Sequence, residues 1–185
     1  WHLGQQHGTP PWKRGFQRHL NSAVGELYFK NQRDKDDVKL FLNGEAKSWN
    51  DPIFGNGNDW YGPDLITEWG LKFIDEAIAE KKPFFYYMPH SSVHFPLMVP
   101  PKDVERYRGK YLVGWDKLRE ERHKRQIEMG LVDPKWPLSQ RPPDVPEWDS
   151  LSEKDKDRFD HIMAVYAAMI DRLDRSIGTL VDGLR

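Results

Sequence analysis

Apolar residues recur at helical spacing in two long stretches of the chain. After Pro63 and Asp64, the residues Leu65, Trp69, Phe73, Ile74, Ala77 and Ile78 follow mostly at intervals of three and four, which predicts a helix from 64 to 81. In the second stretch Phe159, Ile162, Met163, Tyr166, Met169, Ile170, Leu173, Ile177, Leu180 and Leu184 hold the 3.6-residue period for about nine turns, predicting the main core helix over 152 to 184. Ser152 supplies its N-cap, and Glu153 and Asp155 sit near the positive end of the helix dipole. Between the two, Phe84-Phe85-Tyr86-Tyr87-Met88 is an unbroken apolar run bracketed by Pro83 and Pro89. Its length and lack of alternation predict a strand buried on both faces, as in a parallel sheet between helices.

Elsewhere the pattern is weaker. Residues 1 to 60 show no sustained helical period and many Gly, Asn and Pro residues, so loops and short strands are expected. Val38 to Leu42 followed by Asn43-Gly44 predicts a hairpin. A short helix is expected over 101 to 108 and a longer, mostly charged one over 115 to 129, ended by Gly130. The charged helix reads as a solvated one laced with i, i+4 pairs such as Glu121 with Arg125, rather than a phosphate-reading surface. Pro134 to Pro146 reads as a proline-rich surface connector, with Trp136 and Trp148 as covers over the core. Asp171 and Asp174 share a helix face, but Arg172 and Arg175 lie close enough to pair with them, so this acidic pair is read as structural and not as a metal site.

Helix followed by strand is half of an α/β unit, and the expected fold class is α/β, with a mixed or parallel sheet between helices. At 185 residues, 38% hydrophobic and 13% aromatic, the chain has the length and core material of one ordinary domain. Basic residues number 28 and acidic ones 29, leaving a net charge of -1 and no general pull toward nucleic acid or an anionic membrane. No apolar run approaches the ~20 residues needed to span a bilayer. The chain opens on Trp1 rather than Met and still reads as helix near Arg185, so it is expected to be a segment of a longer protein. Cysteine is absent, which excludes disulfides, thiolate metal sites and a cysteine nucleophile within these residues.

The candidate chemistry sits where the aromatic run breaks. In open parallel sheets, ligands bind beyond the carboxyl ends of strands, and that is where His90, Ser91, Ser92 and His94 fall. Prolines at 96, 100 and 101 stiffen the loop, and a stiff loop can aim an imidazole. From position alone, a histidine that caps a backbone carbonyl or lies on the surface is the favoured reading of His94.

Four stretches taken together resemble the sulfatase family, the formylglycine-dependent hydrolases of sulfate esters. Trp1-His2-Leu3-Gly4 looks like the tail of the family's Gly-Lys-Trp-His-Leu-Gly motif. Asp64-Leu65-Ile66-Thr67 leads through a helix into Pro83-Phe84-Phe85 and on to His94-Phe95-Pro96. Tyr107-Arg108-Gly109-Lys110-Tyr111, with Gly114-Trp115-Asp116 and Arg119-Glu120-Glu121-Arg122, is similar to the bacterial arylsulfatase branch. Tyr166-Ala167-Ala168-Met169-Ile170-Asp171, running to Asp174, Ile177 and Gly178, completes the set. Pro63 departs from the family, where Thr or Ser more often caps the helix.

The resemblance implies part of an alkaline-phosphatase-like sandwich, with residues 1 to 185 as the central part of a sulfatase catalytic domain. It implies a small-molecule or carbohydrate sulfate ester as substrate, a divalent cation, usually calcium, and a formylglycine nucleophile. The nucleophile and every metal ligand of the family lie outside these residues, so no metal ligand is expected here and the segment alone is expected to be inactive. By the same resemblance His94 contacts the sulfate and protonates the leaving oxygen, a role suited to a group titrating near neutrality. His2 hydrogen-bonds the formylglycine hydroxyl and acts as base when sulfate is released. The two rings are therefore expected to converge, within about 10 Å across a small ligand pocket. The resemblance assigns His90 nothing, and it implies a periplasmic or extracellular setting that the residues themselves leave open. Two alternatives remain: a phosphate mono- or diesterase of the same superfamily, and a carbohydrate-binding or pseudoenzyme module built on the 8 Trp and 7 Tyr.

Overall fold

A computed structural model describes residues 8–22, 28–29, 39–55 and 60–185. These fall into two compact units, one of residues up to Val99 together with Met169–Arg185, the other Pro100–Ala168.

In the first unit a three-stranded antiparallel sheet joins β1 (Leu20–Ser22), β2 (Lys39–Leu42) and β3 (Glu45–Ser48) in the order β1-β2-β3. The expected hairpin is present, with Leu42 opposite Glu45 and Lys39 opposite Ser48. Asn43 and Gly44 form its turn with φ of 51 and 91, the left-handed pair that a two-residue hairpin requires. Leu40 and Leu42 of β2 pack with Trp49, Phe54 and with Leu65, Trp69 and Phe73 of α1 (Gly62–Ala79) into one core. The spacing of 65, 69 and 73 puts all three on one face of α1, and burying each contributes about 1.5–3 kcal/mol. Ile78, placed in that stripe by its spacing, is exposed in the last turn. Gly70 on α1 lies against the Tyr86 hydroxyl, leaving no room there for a Cβ.

The expected parallel ladder through Phe84–Tyr87 is not among the described pairings. The segment is not helical, but it runs from Pro83 to His90 beside no described strand, and Phe85 is 79% exposed, with Phe84 and Tyr87 also exposed. Apolar run length identifies a segment able to be buried on both faces; it does not supply the neighbours that make it a strand.

The helix α4 (Glu153–Gly183) matches its expected span. Its start is capped as expected: the Ser152 hydroxyl accepts from Asp155 N–H at 3.1 Å and donates to the Asp155 carboxylate at 2.6 Å. Half of the expected apolar stripe, however, is exposed, while Phe159, Tyr166, Leu173 and Leu180 are half-buried. Ile162, Met163, Ile170, Ile177 and Leu184 are exposed, whereas Asp160, Ala164, Ala168, Met169 and Ser176 are buried. Most of the buried positions are small or polar and step by four, beside the stripe, which itself contributes Met169. Arg172 pairs in two-pronged fashion with Asp64 of α1, while Arg175 pairs with Asp171 at 3.3 Å, as the spacing of the acidic and basic residues allows.

In the second unit, α2 (Pro101–Val104) is followed by the turn 107–111 and by α3 (Trp115–Glu128). Asp160 anchors the turn. Its carboxylate is 1% exposed and accepts from Gly109 N–H at 2.9 Å, Tyr111 N–H at 3.0 Å and the Arg108 guanidinium at 2.5 Å. No residue of α3 is buried. The helix is held to the connector after it through Trp115 to Pro146 O, Arg141 to Asp116, Arg119 to Ser139 and His123 to Trp136 O. Lys124 with Glu128 is the i, i+4 pair that α3 forms, where Glu121 with Arg125 was expected. Trp148 is buried beneath Gly114 and donates to Leu112 O at 3.1 Å, as a cover should, but Trp136 is exposed, so the expected pair of covers is reduced to one.

Candidate functional site

His94 lies on the loop between the aromatic run and α2 and is exposed. The loop is tightly folded: His94 N–H donates to Ser91 O at 2.8 Å, and the Ser92–Val93 and Phe95–Pro96 peptide bonds are both cis. On the ring, Nδ1 is hydrogen-bonded to the Phe95 carbonyl. A carbonyl can only accept, so Nδ1 carries a proton in this contact. The bond anchors the ring to the backbone of its own loop.

The loop is tied to the start of α1 by two tyrosines. Tyr28, with no exposed surface, directs its hydroxyl at Ser91 O (2.9 Å) and His94 O (2.8 Å). Tyr61, the residue before α1, donates to Met98 O at 3.1 Å. Neither residue stands out in the sequence, because both lie in a stretch without periodicity.

His90 has a different environment. With Ser91 it lines a cavity of about 860 Å³ walled by the apolar face of α1, the segment 83–91 and parts of 11–22. Burial lowers its pKa below the ordinary histidine value. His94 is not among the lining residues, so the concavity and the histidine singled out by the resemblance do not coincide among the described residues. The same cavity meets His19, which the sequence gave no reason to select. His19 is buried, stacks on Trp12 at 4.8 Å and accepts from Gly44 N–H at 3.0 Å through Nε2, and burial lowers its pKa as well.

His2 lies outside the described residues, and with it the expected convergence of His2 and His94. Among the described residues no group of three or more His, Asp or Glu side chains gathers to hold a metal ion.

The sequence profile of the sulfatase family matches residues 1–185. The chain is similar to an uncharacterized sulfatase of Schizosaccharomyces pombe, 32% identical over 197 residues covering 100% of this chain and 34% of that protein. It is also similar to an arylsulfatase of Klebsiella aerogenes, 28% identical over 192 residues covering 100% of this chain and 39% of that one. It thus spans little more than a third of the length of these curated relatives. With the family pattern running from the first residue to the last, the chain belongs to the sulfatase family, whose domain has the alkaline-phosphatase-like α/β fold.

Proposed function

We propose that the protein containing this chain hydrolyses sulfate esters, with His94 as the group that protonates the departing alcohol oxygen and His2 as the base that assists sulfate release. The family match along the whole chain supports the reaction class. The anchored Nδ1 of His94 is the observation that supports this role, because it fixes the ring on a tightly folded loop. A formylglycine nucleophile and a divalent cation, calcium in this reading, would come from parts of the protein beyond these residues and supply covalent attack and charge stabilisation. The 185 residues alone are proposed to be inactive for that reason. The exposed half of the α4 stripe and the uncovered Phe84 and Phe85 fit this reading, as surfaces for the rest of the domain to cover.

Leaving-group dependence tests the assignment. In the complete protein, His94→Ala is expected to slow turnover of phenyl sulfate by roughly 10² to 10⁴-fold, the range for a lost general acid. Turnover of 4-nitrophenyl sulfate, whose phenolate leaves with little proton assistance, is expected to suffer far less. Equal losses on the two esters would remove His94 from this role.

A further inference from the structure

The loop bearing His94 is not held by its own turn alone. Three of its carbonyls, those of Ser91, His94 and Met98, receive tyrosine hydroxyls from outside it. The two tyrosines form one assembly. Phe29 bridges to Tyr61 in antiparallel fashion, Gly62 N–H donates to Tyr28 O at 2.7 Å, and the Tyr28 and Tyr61 rings stack with centroids 6.0 Å apart and planes 21° apart. The Tyr61 ring is in turn covered by the Arg172 guanidinium, 5.0 Å from its centroid. Arg172 also grips Asp64 in the first turn of α1.

A buried tyrosine hydroxyl needs an acceptor, and any carbonyl would serve. Here the acceptors bracket the catalytic candidate. One tyrosine takes the two carbonyls that close the turn at His94, and the other takes Met98, four residues further on. Fixing the His94 carbonyl fixes the backbone from which the imidazole projects, and the ring is then oriented by its own bond to Phe95 O. The two hydroxyls reach the loop through its backbone carbonyls, so what they contribute to it is aim.

We infer that Tyr28 and Tyr61 are positioning residues for the proton transfer by His94, clamping its loop to the first turn of α1. The inference rests on the reading of His94 as proton donor. Misplacement by about 1 Å can cost on the order of 10²-fold in rate, and removing one hydroxyl leaves the loop's remaining bonds in place. The expected effect of Tyr28→Phe in the complete protein is therefore about a tenfold fall in kcat on phenyl sulfate. On 4-nitrophenyl sulfate kcat stays within about twofold, because an unassisted departure does not depend on the aim of the ring.

His94→Ala, measured beside it, separates the two claims. If His94→Ala is selective for the poorer leaving group and Tyr28→Phe is not, the clamp is overturned and the role of His94 stands. If His94→Ala itself loses equally on both esters, the role of His94 falls and the clamp falls with it. A tyrosine that only supports the core would lower the thermal midpoint and the yield of active protein while leaving kcat per folded molecule unchanged on both esters; that result also overturns the proposal. Should Tyr28→Phe fail to fold, Tyr61→Phe decides by the same pair of substrates, with the same selective loss expected and an equal or absent loss counting against the clamp.

Discussion

Arg108 bonds to two carboxylates that differ in one respect: Asp160 is 1% exposed, whereas Asp157 is 68% exposed. Replacing each with asparagine isolates the value of burial. In Asp160→Asn the amide oxygen can go on accepting from Tyr111 N–H, but the NH₂ group then confronts Gly109 N–H and the Arg108 guanidinium, donor against donor. Each buried donor left unpaired costs about 1–3 kcal/mol. Arg108 is 34% exposed and keeps Asp157, so solvent and the second carboxylate offset part of its loss. The expected cost is about 2–4 kcal/mol, below the full penalty for breaking a buried pair. Asp157→Asn, at a solvated position, is expected to cost about 0–1 kcal/mol. Amide hydrogen exchange at Gly109 and Tyr111 reads the difference directly. At about 1.4 kcal/mol per tenfold, exchange there should speed up by roughly 30 to 1,000-fold in Asp160→Asn. In Asp157→Asn the change should be under about sixfold. Equal acceleration in the two variants, or less than about fivefold in Asp160→Asn, would refute the reasoning that burial of this carboxylate holds the turn.

Two further outcomes follow from local geometry and charge. Gly114 has φ 85 and ψ 159, a region open essentially to glycine, and a Cβ there would meet Trp148 ring atoms at 2.6 and 2.8 Å. Gly114→Ala should lose about 3 kcal/mol or more in urea denaturation, against about 1–2 kcal/mol for Gly130→Ala, which has a positive φ but no atom within 4 Å of its Cβ. Comparable losses in the two would count against the Trp148 contact. Burial lowers the pKa of His19 in the folded chain, so the unfolded chain binds that proton more readily. The stability supplied by neutral His19 is fully present above the unfolded value of about 6.5 and is lost as pH falls below it. His19→Gln, which can still accept from Gly44 N–H through its amide oxygen, should flatten the slope of stability against pH below about 6.5. His90, lowered by burial in the same direction, leaves a residual slope; an undiminished slope in the variant would exclude His19 as its source.

What the sequence made legible was what periodicity and turn chemistry encode. Leu65, Trp69 and Phe73 carry a period whose buried face has one solution, and Asn43-Gly44 admits few conformations, so α1 and the hairpin match expectation. The stripe of α4 is periodic as well, but a period names a face without naming what covers it, and Ile162, Ile170 and Ile177 are exposed. Asp160 was unreadable for the opposite reason. An aspartate in a charged run reads as surface, and its burial follows from two backbone amides of a turn some 50 positions earlier, at 109 and 111, that need an acceptor. Of the candidate site, His94 was found by motif. The residues that hold its loop, Tyr28 and Tyr61, act through single hydroxyls with no spacing to give them away.

The charged helix α3 has a physical character unlike that of the rest of the chain. It buries no residue, and it is tied to the connector by the Arg141–Asp116 ion pair and by hydrogen bonds of Trp115 to Pro146 O, Arg119 to Ser139 and His123 to Trp136 O. The ion-pair part of that hold is sensitive to ionic strength. The screening length shrinks from about 30 Å in dilute buffer to about 3 Å at molar salt, which weakens the ion pairs of this hairpin while the apolar contacts between α1 and the sheet are unaffected or strengthened. Salt is therefore expected to act selectively on this chain, loosening the Arg141 pairs of the helix–connector hairpin before the core of Leu40, Leu65 and Trp69.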